Sequence, residues 1–587
     1  MSTWSDALFA LVWGVVGEFA LCLLKRWNRA RSITQASFLG LYAFFAFYAV
    51  GAVGVFQYFH RPLTYDLVTL VGNAAVMRSS VLERLTLPVL CALIFVPVAF
   101  LMLTLRFGRS RRATWIAAVF IAAWIALGYV CHRQYWAPEK MTHLWMNPHF
   151  ELLRSTASRL IGAGRPTFPK DFQPGYVDEF RTFKARRLTQ LSHFKLPPEV
   201  PRPRNAIIIV LESVGTKYLK LYGYPHEIMP NLTAESRYAL LFDNIYAHAS
   251  FTYCSVRTLN FSVYPGLPWH YALLGKGRPF PQTLAAAAKA RGMRTAYFTS
   301  GDLYWEDQFW LLNDYGAFET LQGAPDLGCP LLSSWGAEDK CAIERLLGWV
   351  GEKPGEPFFA ICWTDQTHDP YLLSPGGAPV DFFEGKPPPN FAGDLSRYLN
   401  VLNETDRQIG RVFGALRERG LAEDTLVVIT GDHGEAFADP HPQRGHAWSV
   451  FEEEVHVPLL IWNPRLFPQG TRVQTIGGHV DFNPTLADIL GMDPQAEWQG
   501  HSLFDPAHPG RAYFMAIAGG DIFGVREGDW KYAYDVTSGR ESLFNLAIDP
   551  NEQRDLAASE PARCMRLRQR VAAWVTFEDA FLDGNEN

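Results

Sequence analysis

The chain has 587 residues and a mass of 66.2 kDa, too long for one ordinary hydrophobic core, so we expect several domains. Its 54 basic and 59 acidic residues give a net charge of −5, which lacks the basic character of a nucleic-acid-binding protein. A hydrophobic content of 48% excludes a disordered chain, and 8 cysteines are too few for a disulfide scaffold. The mean hydropathy of −0.04 averages two unlike parts.

The first part contains apolar stretches close to the roughly 20 residues that cross a bilayer. We predict a helical transmembrane bundle over residues 1–131, with spans at 7–24, 37–59, 85–105 and 113–131. A cleaved signal peptide is a poor alternative, because the first residues carry no basic cluster and further apolar stretches follow.

Basic residues in the short loops predict the orientation of these spans, because such residues collect on the cytoplasmic side. They lie between the first and second spans and between the third and fourth: Lys25, Arg26, Arg29, Arg31, Arg106, Arg109, Arg111 and Arg112. The later part of the chain then lies on the outer face. We therefore predict a multi-pass inner-membrane protein with a periplasmic domain, joined through juxtamembrane helices and a linker over residues 132–204.

From residue 205 short apolar strands alternate with segments of helical pattern. AIIIVLE, residues 206–212, is typical of a buried parallel strand, and TLVVITG, residues 425–431, repeats the pattern. MRTAYFTS and PFFAICWT lie between them among helical segments. The alternation predicts an α/β domain over residues 205–587, with a largely parallel sheet covered by helices on both faces.

Residues at the ends of two predicted strands carry metal-binding groups. Glu212 ends the first strand, and Asp432 and His433 lie in a Gly-Asp-His-Gly-Glu turn after the later one. A carboxylate oxygen beside an imidazole nitrogen suits zinc or manganese, whereas calcium and magnesium prefer oxygen ligands alone. Because ligands bind at the carboxyl ends of parallel strands, we predict one divalent metal, Mn or Zn, at this edge.

Several segments come in the order seen in sulfatase-like members of the alkaline phosphatase superfamily, and the chain resembles them over residues 205–560. Besides Glu212 these segments are YGYPHEIMPNLTAESRYALLFDNIYAHAS, GDHGE, FEEEVHVPLLIWNP, HVDFNPTLADILG and REGDWKYAYDVTSGRESLFNLAIDPNEQRDL. The resemblance implies an alkaline-phosphatase-like fold with a small C-terminal antiparallel sheet over about 500–560. Fold does not decide chemistry, so sulfatase, phosphatase and phosphotransferase have to be separated at the site.

The sequence departs from the motifs of similar sulfatases. Those enzymes convert a cysteine in a Cys-x-Pro-x-Arg motif to formylglycine, whereas Cys254 lies in CSVRT, which lacks the proline. They bind calcium through paired aspartates and an Asp-Asn pair, whereas this chain has Leu211-Glu212 and Asp432-His433. We therefore interpret Cys254 as a small packing residue at a helix start.

The site is more similar to membrane-bound phosphotransferases of the superfamily, the lipoteichoic acid synthases and the lipid A phosphoethanolamine transferases. These enzymes pair a glutamate with a threonine nucleophile and an Asp-His, and TYCSVRTLNFSVYPG places Thr252 at the nucleophile and metal-ligand position. A metal-bound hydroxyl at a helix N-terminus can attack phosphorus near neutral pH. Ser255 is the second candidate nucleophile, and a helix N-cap is the alternative role for Thr252.

The same resemblance implies further site residues. Asp302 and Trp305, in FTSGDLYWEDQFW, match positions that hold a substrate headgroup, although the expected arginine is absent. His368 matches a histidine near the substrate phosphate and is the candidate general acid. His446 matches a histidine that contacts phosphate or sulfate, or a second zinc. Arg257, one helical turn beyond the candidate nucleophile, is placed to pair with a phosphate oxygen.

These patterns predict a membrane-bound, metal-dependent phosphotransferase. It would take phosphoglycerol, or phosphoethanolamine, from a membrane phospholipid through a phosphothreonine and pass it to a glycan or lipid hydroxyl in the cell envelope. The alternatives are a sulfatase or phosphodiesterase hydrolase and a catalytically silent lipid-binding regulator. Nucleic acid is not expected as a partner. Cys329 and Cys341 are compatible with one disulfide or with two free thiols.

Overall fold

The computed structural model of the protein describes most of the chain in separate stretches. The described residues are 4–59, 64–65, 78–107, 119, 121–127, 147–160, 168, 172–181, 200–267, 280–386, 392–518, 521–536 and 538–582. The chain divides into two compact units. One comprises Met1–Ala74 and Ser80–Arg165, and the other comprises Ala75–Ser79 and Pro166–Asn587. The predicted boundaries at residues 131 and 204 stay predictions.

The first unit is helical in its described residues. Its helices are α1 (Trp4–Leu23), α2 (Asn28–Phe59), α3 (Arg78–Arg84), whose first two residues belong to the second unit, α4 (Leu87–Phe107) and α5 (Pro148–Leu160), and residues 121–127 are also helical.

One stretch of these helices, Asn28–Val53, is long and apolar enough to cross a membrane, while Leu8–Leu23 and Leu87–Met102 are shorter apolar helices. Most of the predicted span 113–131 lies outside the described residues. The structure thus gives an N-terminal apolar helix of membrane-spanning length, and the four-span bundle and its orientation stay predictions. Arg29, expected in a loop, lies within α2, because that helix begins at Asn28 rather than near residue 37.

The second unit is built around a mixed sheet of 8 strands, in the order β10-β2-β9-β6-β1-β5-β3-β4. The strands of the unit, including the small pair β7 and β8, are β1 (Asn205–Leu211), β2 (Ala239–Tyr246), β3 (Arg294–Thr299), β4 (Thr320–Gln322), β5 (Phe358–Trp363), β6 (Thr425–Gly431), β7 (Ala436–Phe437), β8 (Arg444–Gly445), β9 (His456–Trp462) and β10 (Thr471–Gly478).

Four strands predicted from apolar runs are confirmed and lie next to each other. β6, β1, β5 and β3 are parallel neighbours in the middle of the sheet. The prediction of a largely parallel sheet misses β9, which runs antiparallel to both β6 and β2. No long crossover helix lies among the described residues between β6 and β9 to return the chain to the end of the sheet where β6 begins. β9 therefore runs antiparallel to β6.

Helices cover the sheet and complete its core. Those of the second unit are α6 (Pro174–Arg181), α7 (Pro230–Glu235), α8 (Thr252–Phe261), α9 (Leu284–Ala290), α10 (Gln308–Tyr315), α11 (Asp339–Glu352), α12 (Ala392–Glu418), α13 (Glu452–Val455), α14 (Phe482–Leu490) and α15 (Pro561–Leu582). Alternate side chains of β1, Ile207 and Ile209, share one buried cluster with Leu346 of α11 and Phe413 of α12. This packing holds the carboxyl ends of β1 and β6 at a fixed spacing.

The small C-terminal antiparallel sheet expected over about 500–560 is confirmed. It has 4 strands, β11 (Arg511–Ala516), β12 (Ile522–Glu527), β13 (Trp530–Asp535) and β14 (Arg540–Asn545), each paired with the next. α15, which follows this sheet and packs against β12 and β13, was not predicted from the sequence.

Candidate active site

Two adjacent strands deliver the predicted metal ligands to one point. β1 and β6 run parallel, with Leu211 paired to Gly431 at their carboxyl ends. The residues that follow, Glu212 and Asp432, therefore leave the sheet side by side, and His433 comes directly after. All three side chains are buried. We call Glu212, Asp432 and His433 the metal wall.

Backbone donors fix one oxygen of Asp432 and leave the other facing the site. Ser213 has a φ of 56°, uncommon for a residue with a Cβ, and its N–H donates to Asp432 Oδ1 at 2.8 Å. The His433 N–H donates to the same oxygen at 2.7 Å. Oδ2 is buried without a hydrogen-bond donor among the described residues. Burial raises the pKa of Asp432 to about 7, so the carboxylate form needs a nearby cation.

The tautomer of His433 is set by its backbone partner. Nδ1–H donates to the carbonyl oxygen of Gly434 at 3.0 Å, which leaves the lone pair on Nε2. Nε2 lies 3.4 Å from Asp432 Oδ2 and 3.7 Å from Glu212 Oε1. Burial, then the charge of His446, lower the pKa of His433 well below its ordinary value. The ring is therefore neutral and presents a metal-binding nitrogen to the two carboxylates.

The metal wall fits a divalent metal. One ligand atom from each of Glu212, Asp432 and His433 lies within 4.8 Å of the others. Burial, and then the charge of Asp432, raise the pKa of Glu212 well above its ordinary value. Two buried carboxylates facing each other are unfavourable unless a cation or a shared proton separates them. The mixed oxygen and nitrogen donors suit Zn or Mn, and the structure does not distinguish the two.

Thr252 places its hydroxyl directly against the metal wall. It is the first residue of α8, whose N-cap is Phe251, so Thr252 is not itself the N-cap. Its Oγ1 lies 3.2 Å and 3.3 Å from the two carboxylate oxygens of Glu212 and 3.3 Å from His433 Nε2. Its side chain is partly exposed and lines a cavity. A hydroxyl in this position can bind the same cation and reach a substrate.

The two neighbouring residues considered from the sequence, Ser255 and Cys254, do not face the cavity. The hydroxyl of Ser255 is buried and donates to the backbone carbonyl of Asp432 at 2.6 Å, so it is occupied away from the cavity. Cys254 is 2% exposed, and burial raises the pKa of its thiol far above the ordinary value. Cys254 therefore packs in the interior, in agreement with its interpretation from the sequence.

Two histidines stand beside the metal wall. The His446 ring centroid lies 4.3 Å from that of His433, and its Nδ1–H donates to Glu435 Oε2 at 2.8 Å. Burial alone would lower the pKa of His446, but the charge and hydrogen bond of Glu435 outweigh it and raise the pKa. His368 instead donates Nδ1–H to the Asp369 carbonyl, and burial and His446 lower its pKa. His446 is thus the better proton donor of the two, although His368 was the predicted general acid.

A cavity opens beside Thr252. Its lining combines acids, three tryptophans and small or neutral polar residues: Glu212, Thr252, Thr299, Gly301, Asp302, Trp305, Gln308, Trp335, Trp363, Asp365 and His368. Asp302, Trp305 and His368, which the sequence predicted near the substrate, all lie here. We call Asp302, Trp305, Trp335 and Asp365 the pocket wall.

Arg257 does not reach this cavity. It is 3% exposed, donates from Nη1 to the Pro265 carbonyl at 2.6 Å and lies 5.1 Å from the ring centroid of Phe280. One turn along α8 carries its side chain toward the interior, away from the hydroxyl of Thr252. The predicted pairing of Arg257 with substrate is therefore replaced by contacts within the protein.

Trp335 and Asp365 were not among the site residues predicted from the sequence. Asp365 lies in the stretch after β5, so its place at a strand end was the signal that could have found it. Trp335 comes from a loop closed by a disulfide between Cys329 and Cys341, a pairing that the sequence left open. The Trp335 ring centroid lies 3.9 Å from that of His368.

Comparisons with known proteins agree that this part of the chain is similar to sulfatases. Residues 204–492 match the family model described as Sulfatase. The chain is similar to arylsulfatase K of Bos taurus, 31% identical over 198 residues that cover 31% of this chain and 36% of the relative. It is also similar to arylsulfatase K of Danio rerio, 33% identical over 195 residues that cover 31% and 37%. The chain thus spans about a third of the length of the curated relatives it matches.

Solved structures share the fold. One is an alkaline phosphatase superfamily protein from Vibrio parahaemolyticus, with a TM-score of 0.54 and 18% identity, covering 73% of this chain and 96% of its own. Another was determined with its substrate D-glucosamine-2-N,6-O-disulfate, with a TM-score of 0.54 and 16% identity, covering 66% and 100%. At these identities the likeness concerns the fold alone.

The predicted phosphotransferase is wrong. The curated relatives are named as arylsulfatases, which favours the hydrolase that the sequence analysis kept as an alternative. The residues that suggested transfer, Thr252 with Glu212 and Asp432-His433, are a hydroxyl beside a group of side chains that could hold a metal. Such a site serves attack on sulfur as well as on phosphorus, so these residues alone did not separate the two chemistries.

Proposed function

We propose that this chain, whose residues 204–492 form a sulfatase-family domain, hydrolyses a sulfate monoester with Thr252 as the nucleophile and a divalent metal as cofactor. The observation that carries the proposal is the position of Thr252 Oγ1, which lies 3.2 Å from Glu212 and 3.3 Å from His433 Nε2 and belongs to a residue that lines a cavity. The names of the curated relatives support sulfate as the group that is attacked.

The residues that would hold the metal are Glu212, Thr252, Asp432 and His433. Asp432 Oδ2 and His433 Nε2 face this point, and the other oxygen of Asp432 and the other nitrogen of His433 are held by the backbone. When bound, a divalent metal would favour the deprotonated hydroxyl and offset the negative charge of the sulfuryl oxygens. Mn and Zn remain the candidates because of the histidine.

In the first step Thr252 Oγ1 attacks sulfur, and the bond between sulfur and the ester oxygen breaks. Glu212, in contact with Oγ1 at 3.2 Å, takes the hydroxyl proton. The electron pair of the broken bond leaves with the ester oxygen, which accepts a proton and departs as the alcohol. The N-terminus of α8 faces the sulfuryl group, where its dipole favours negative charge. The product is Thr252 O-sulfate.

His446, whose ring centroid lies 4.3 Å from that of His433, is the proposed proton donor to the departing alcohol, because Glu435 accepts its Nδ1–H and favours the charged imidazolium. In the second step water attacks the same sulfur atom and gives one proton to neutral His446. The bond between sulfur and Thr252 Oγ1 breaks, Oγ1 regains the proton held by Glu212, and hydrogen sulfate leaves. The cycle consumes one water for each ester and restores every side chain.

Turnover of 4-nitrophenyl sulfate by the purified full chain, supplied with Mn or Zn, tests this proposal. We expect release of 4-nitrophenol that stops on chelation of the metal and is lost in Thr252→Ala. Thr252→Ser keeps a hydroxyl at the same place and should retain part of the rate. Hydrolysis of 4-nitrophenyl phosphate in the absence of any hydrolysis of the sulfate would overturn the assignment of sulfate.

We further propose that the N-terminal helical unit anchors the protein in a membrane, with the catalytic domain outside the cytoplasm. The apolar stretch Asn28–Val53 supports the anchor, and the disulfide between Cys329 and Cys341 supports an oxidising compartment. Extraction of membranes with alkaline carbonate should leave the full chain in the pellet. Its complete release into the soluble fraction would contradict the anchor.

A further inference from the structure

The cavity beside Thr252 is acidic. Asp302, Asp365 and Glu212 line it, and neither lysine nor arginine is among its described lining residues. A metal at the metal wall would be partnered by Glu212, whereas Asp302 and Asp365 lie on the pocket wall. The part of the cavity that receives the rest of the substrate is therefore negative.

Asp365 is held in place without a compensating charge. A Cβ at Gly301 would approach Asp365 Oδ1 to 2.9 Å, and one at Gly336 would approach Oδ2 to 2.8 Å, so two glycines make room for the carboxylate. Within the described part of the chain, its oxygens have no hydrogen-bond donor or ion-pair partner. Its charged neighbours there, including Asp302, are themselves acidic. Burial, and then the charge of Glu212, raise the pKa of Asp365 well above its ordinary value, so its ionised form is unfavourable unless a ligand brings a positive charge.

Aromatic rings form the rest of this wall. The centroids of Trp305 and Trp335 are 5.9 Å apart, and their planes meet at 76°, so the two rings form the corner of a box. The ring centroid of Phe251 lies 5.7 Å from that of Trp305, and Trp363 also lines the cavity. Indole faces attract organic cations, most strongly where carboxylates lie close by and water is excluded.

We propose that the pocket wall binds a positively charged ammonium group on the alcohol portion of the substrate, a quaternary ammonium above all. The substrate would then be a zwitterion, with its sulfate toward the metal wall and its cation between Trp305, Trp335, Asp302 and Asp365. This inference rests on the proposed function, because it names the leaving group of that same ester. Esters of acidic sugars would meet like charges at Asp302 and Asp365 and are poor substrates.

Binding of choline and of 3,3-dimethylbutan-1-ol to the full chain tests the inference directly. The two molecules have nearly the same shape, and only choline carries a charge. Isothermal titration calorimetry should show that choline binds at least about tenfold more tightly than the neutral alcohol. This ratio is the difference in affinity expected from a desolvated cation–π contact together with a carboxylate contact. Equal affinity for the two molecules, or tighter binding of the neutral one, overturns the inference.

Variants of the pocket wall test whether its residues cause the preference for choline. Asp365→Asn should weaken choline binding by about tenfold and leave 3,3-dimethylbutan-1-ol unchanged, because only the charged ligand uses the carboxylate. Asp314→Asn is the matched control, since Asp314 lies exposed on α10 outside the cavity lining and should change neither affinity. Trp305→Leu should weaken choline independently, which keeps the test decisive if Asp365→Asn fails to fold. Unchanged choline binding in a folded variant of either kind contradicts the inference.

Turnover separates this inference from the proposed function. If both hold, choline O-sulfate should give a higher kcat/KM than the sulfate ester of 3,3-dimethylbutan-1-ol, and the advantage should fall in Asp365→Asn. Hydrolysis of 4-nitrophenyl sulfate with no selectivity for choline overturns the cation site and leaves the sulfatase standing. Selective choline binding with no hydrolysis of any of these esters overturns the sulfatase and supports the cation site.

Discussion

The metal wall and the pocket wall of the cavity are built in different ways. Glu212, Asp432 and His433 continue from two paired strands, so the register of the central sheet sets their spacing. Asp302 and Asp365 lie in the segments that follow β3 and β5, and Trp335 belongs to a separate loop. The sheet therefore positions the proposed reactive groups, whereas contacts between loops and the sheet position the groups that would choose the substrate.

A few specific contacts hold the loops of the pocket wall in position. Gly301 and Gly336 form an antiparallel bridge, and the Asp302 N–H donates to the Trp335 carbonyl at 3.1 Å. The disulfide between Cys329 and Cys341 closes the loop that carries Trp335. Substitutions at the metal wall should therefore abolish catalysis. Substitutions that remove these loop contacts should mainly weaken substrate binding.

The largest effect is expected from Thr252→Ala, which removes the proposed nucleophile and leaves both walls in place. The rate constant kcat for an aryl sulfate should fall on the order of a thousandfold or more. Ser255→Ala, which removes a hydroxyl one turn away, should cost far less. Steady-state kinetics of the two variants decide between them, and a larger loss in Ser255→Ala would mean that the wrong hydroxyl has been assigned.

Removing a metal-wall ligand should lower metal affinity. Asp432→Asn and His433→Ala each take away one donor, so we expect metal binding to weaken by at least about 100-fold. His441→Gln is the control, because His441 pairs with Glu453 rather than with this site. Metal content after dialysis, measured by mass spectrometry, gives the readout. Wild-type metal content in both ligand variants would show that the cation binds elsewhere.

Opening the disulfide should affect the pocket wall alone. In the double variant Cys329→Ser with Cys341→Ser, Trp335 loses its covalent restraint, and we expect KM to rise by about tenfold with a smaller change in kcat. Metal content should stay the same. A loss of kcat at unchanged KM would contradict the division of roles between the two walls.

The smallest effect concerns a histidine remote from both walls. His441 donates Nδ1–H to Glu453 at 2.7 Å and Nε2–H to the Glu552 carbonyl at 3.1 Å, so its hydrogen bonds require the charged ring. Burial alone would lower the pKa of His441, but Glu453 raises it above the ordinary value. The added stability is complete below the unfolded pKa of about 6.5 and is lost as pH rises through the folded pKa.

His441→Gln should therefore lower the free energy of unfolding by about 1 kcal/mol at pH 6 and by less at pH 9. Urea unfolding of the full chain at the two pH values measures the difference, and Glu453→Gln should reproduce it. A difference that grows toward high pH would have the wrong sign for a histidine stabilised in its charged form.

The metal wall was predictable because apolar strands and their terminal residues are local patterns. Glu212, Asp432 and His433 each follow a recognisable strand, and parallel pairing brings such ends together. Thr252 came from a family resemblance, and the structure brings it within 3.2 Å of Glu212.

The pocket wall was only half predictable because its residues meet through contacts distant in sequence. Trp335 reaches the cavity through the bridge between Gly301 and Gly336 and through a disulfide, neither of which a local pattern reveals. Arg257 was misplaced because a one-turn spacing does not say that its side chain turns to the Pro265 carbonyl. The chemistry was wrong for a related reason, since a nucleophile and a metal site do not identify the atom that is attacked.

The most direct test of the central claim is a peptide map of the full chain after incubation with metal and 4-nitrophenyl sulfate and rapid quenching in acid. We expect a sulfuryl group on Thr252 in the peptide that contains this residue, and no sulfuryl group on that peptide in Thr252→Ala. Formylglycine in place of Cys254, or a sulfuryl group on Ser255 in place of Thr252, would contradict it.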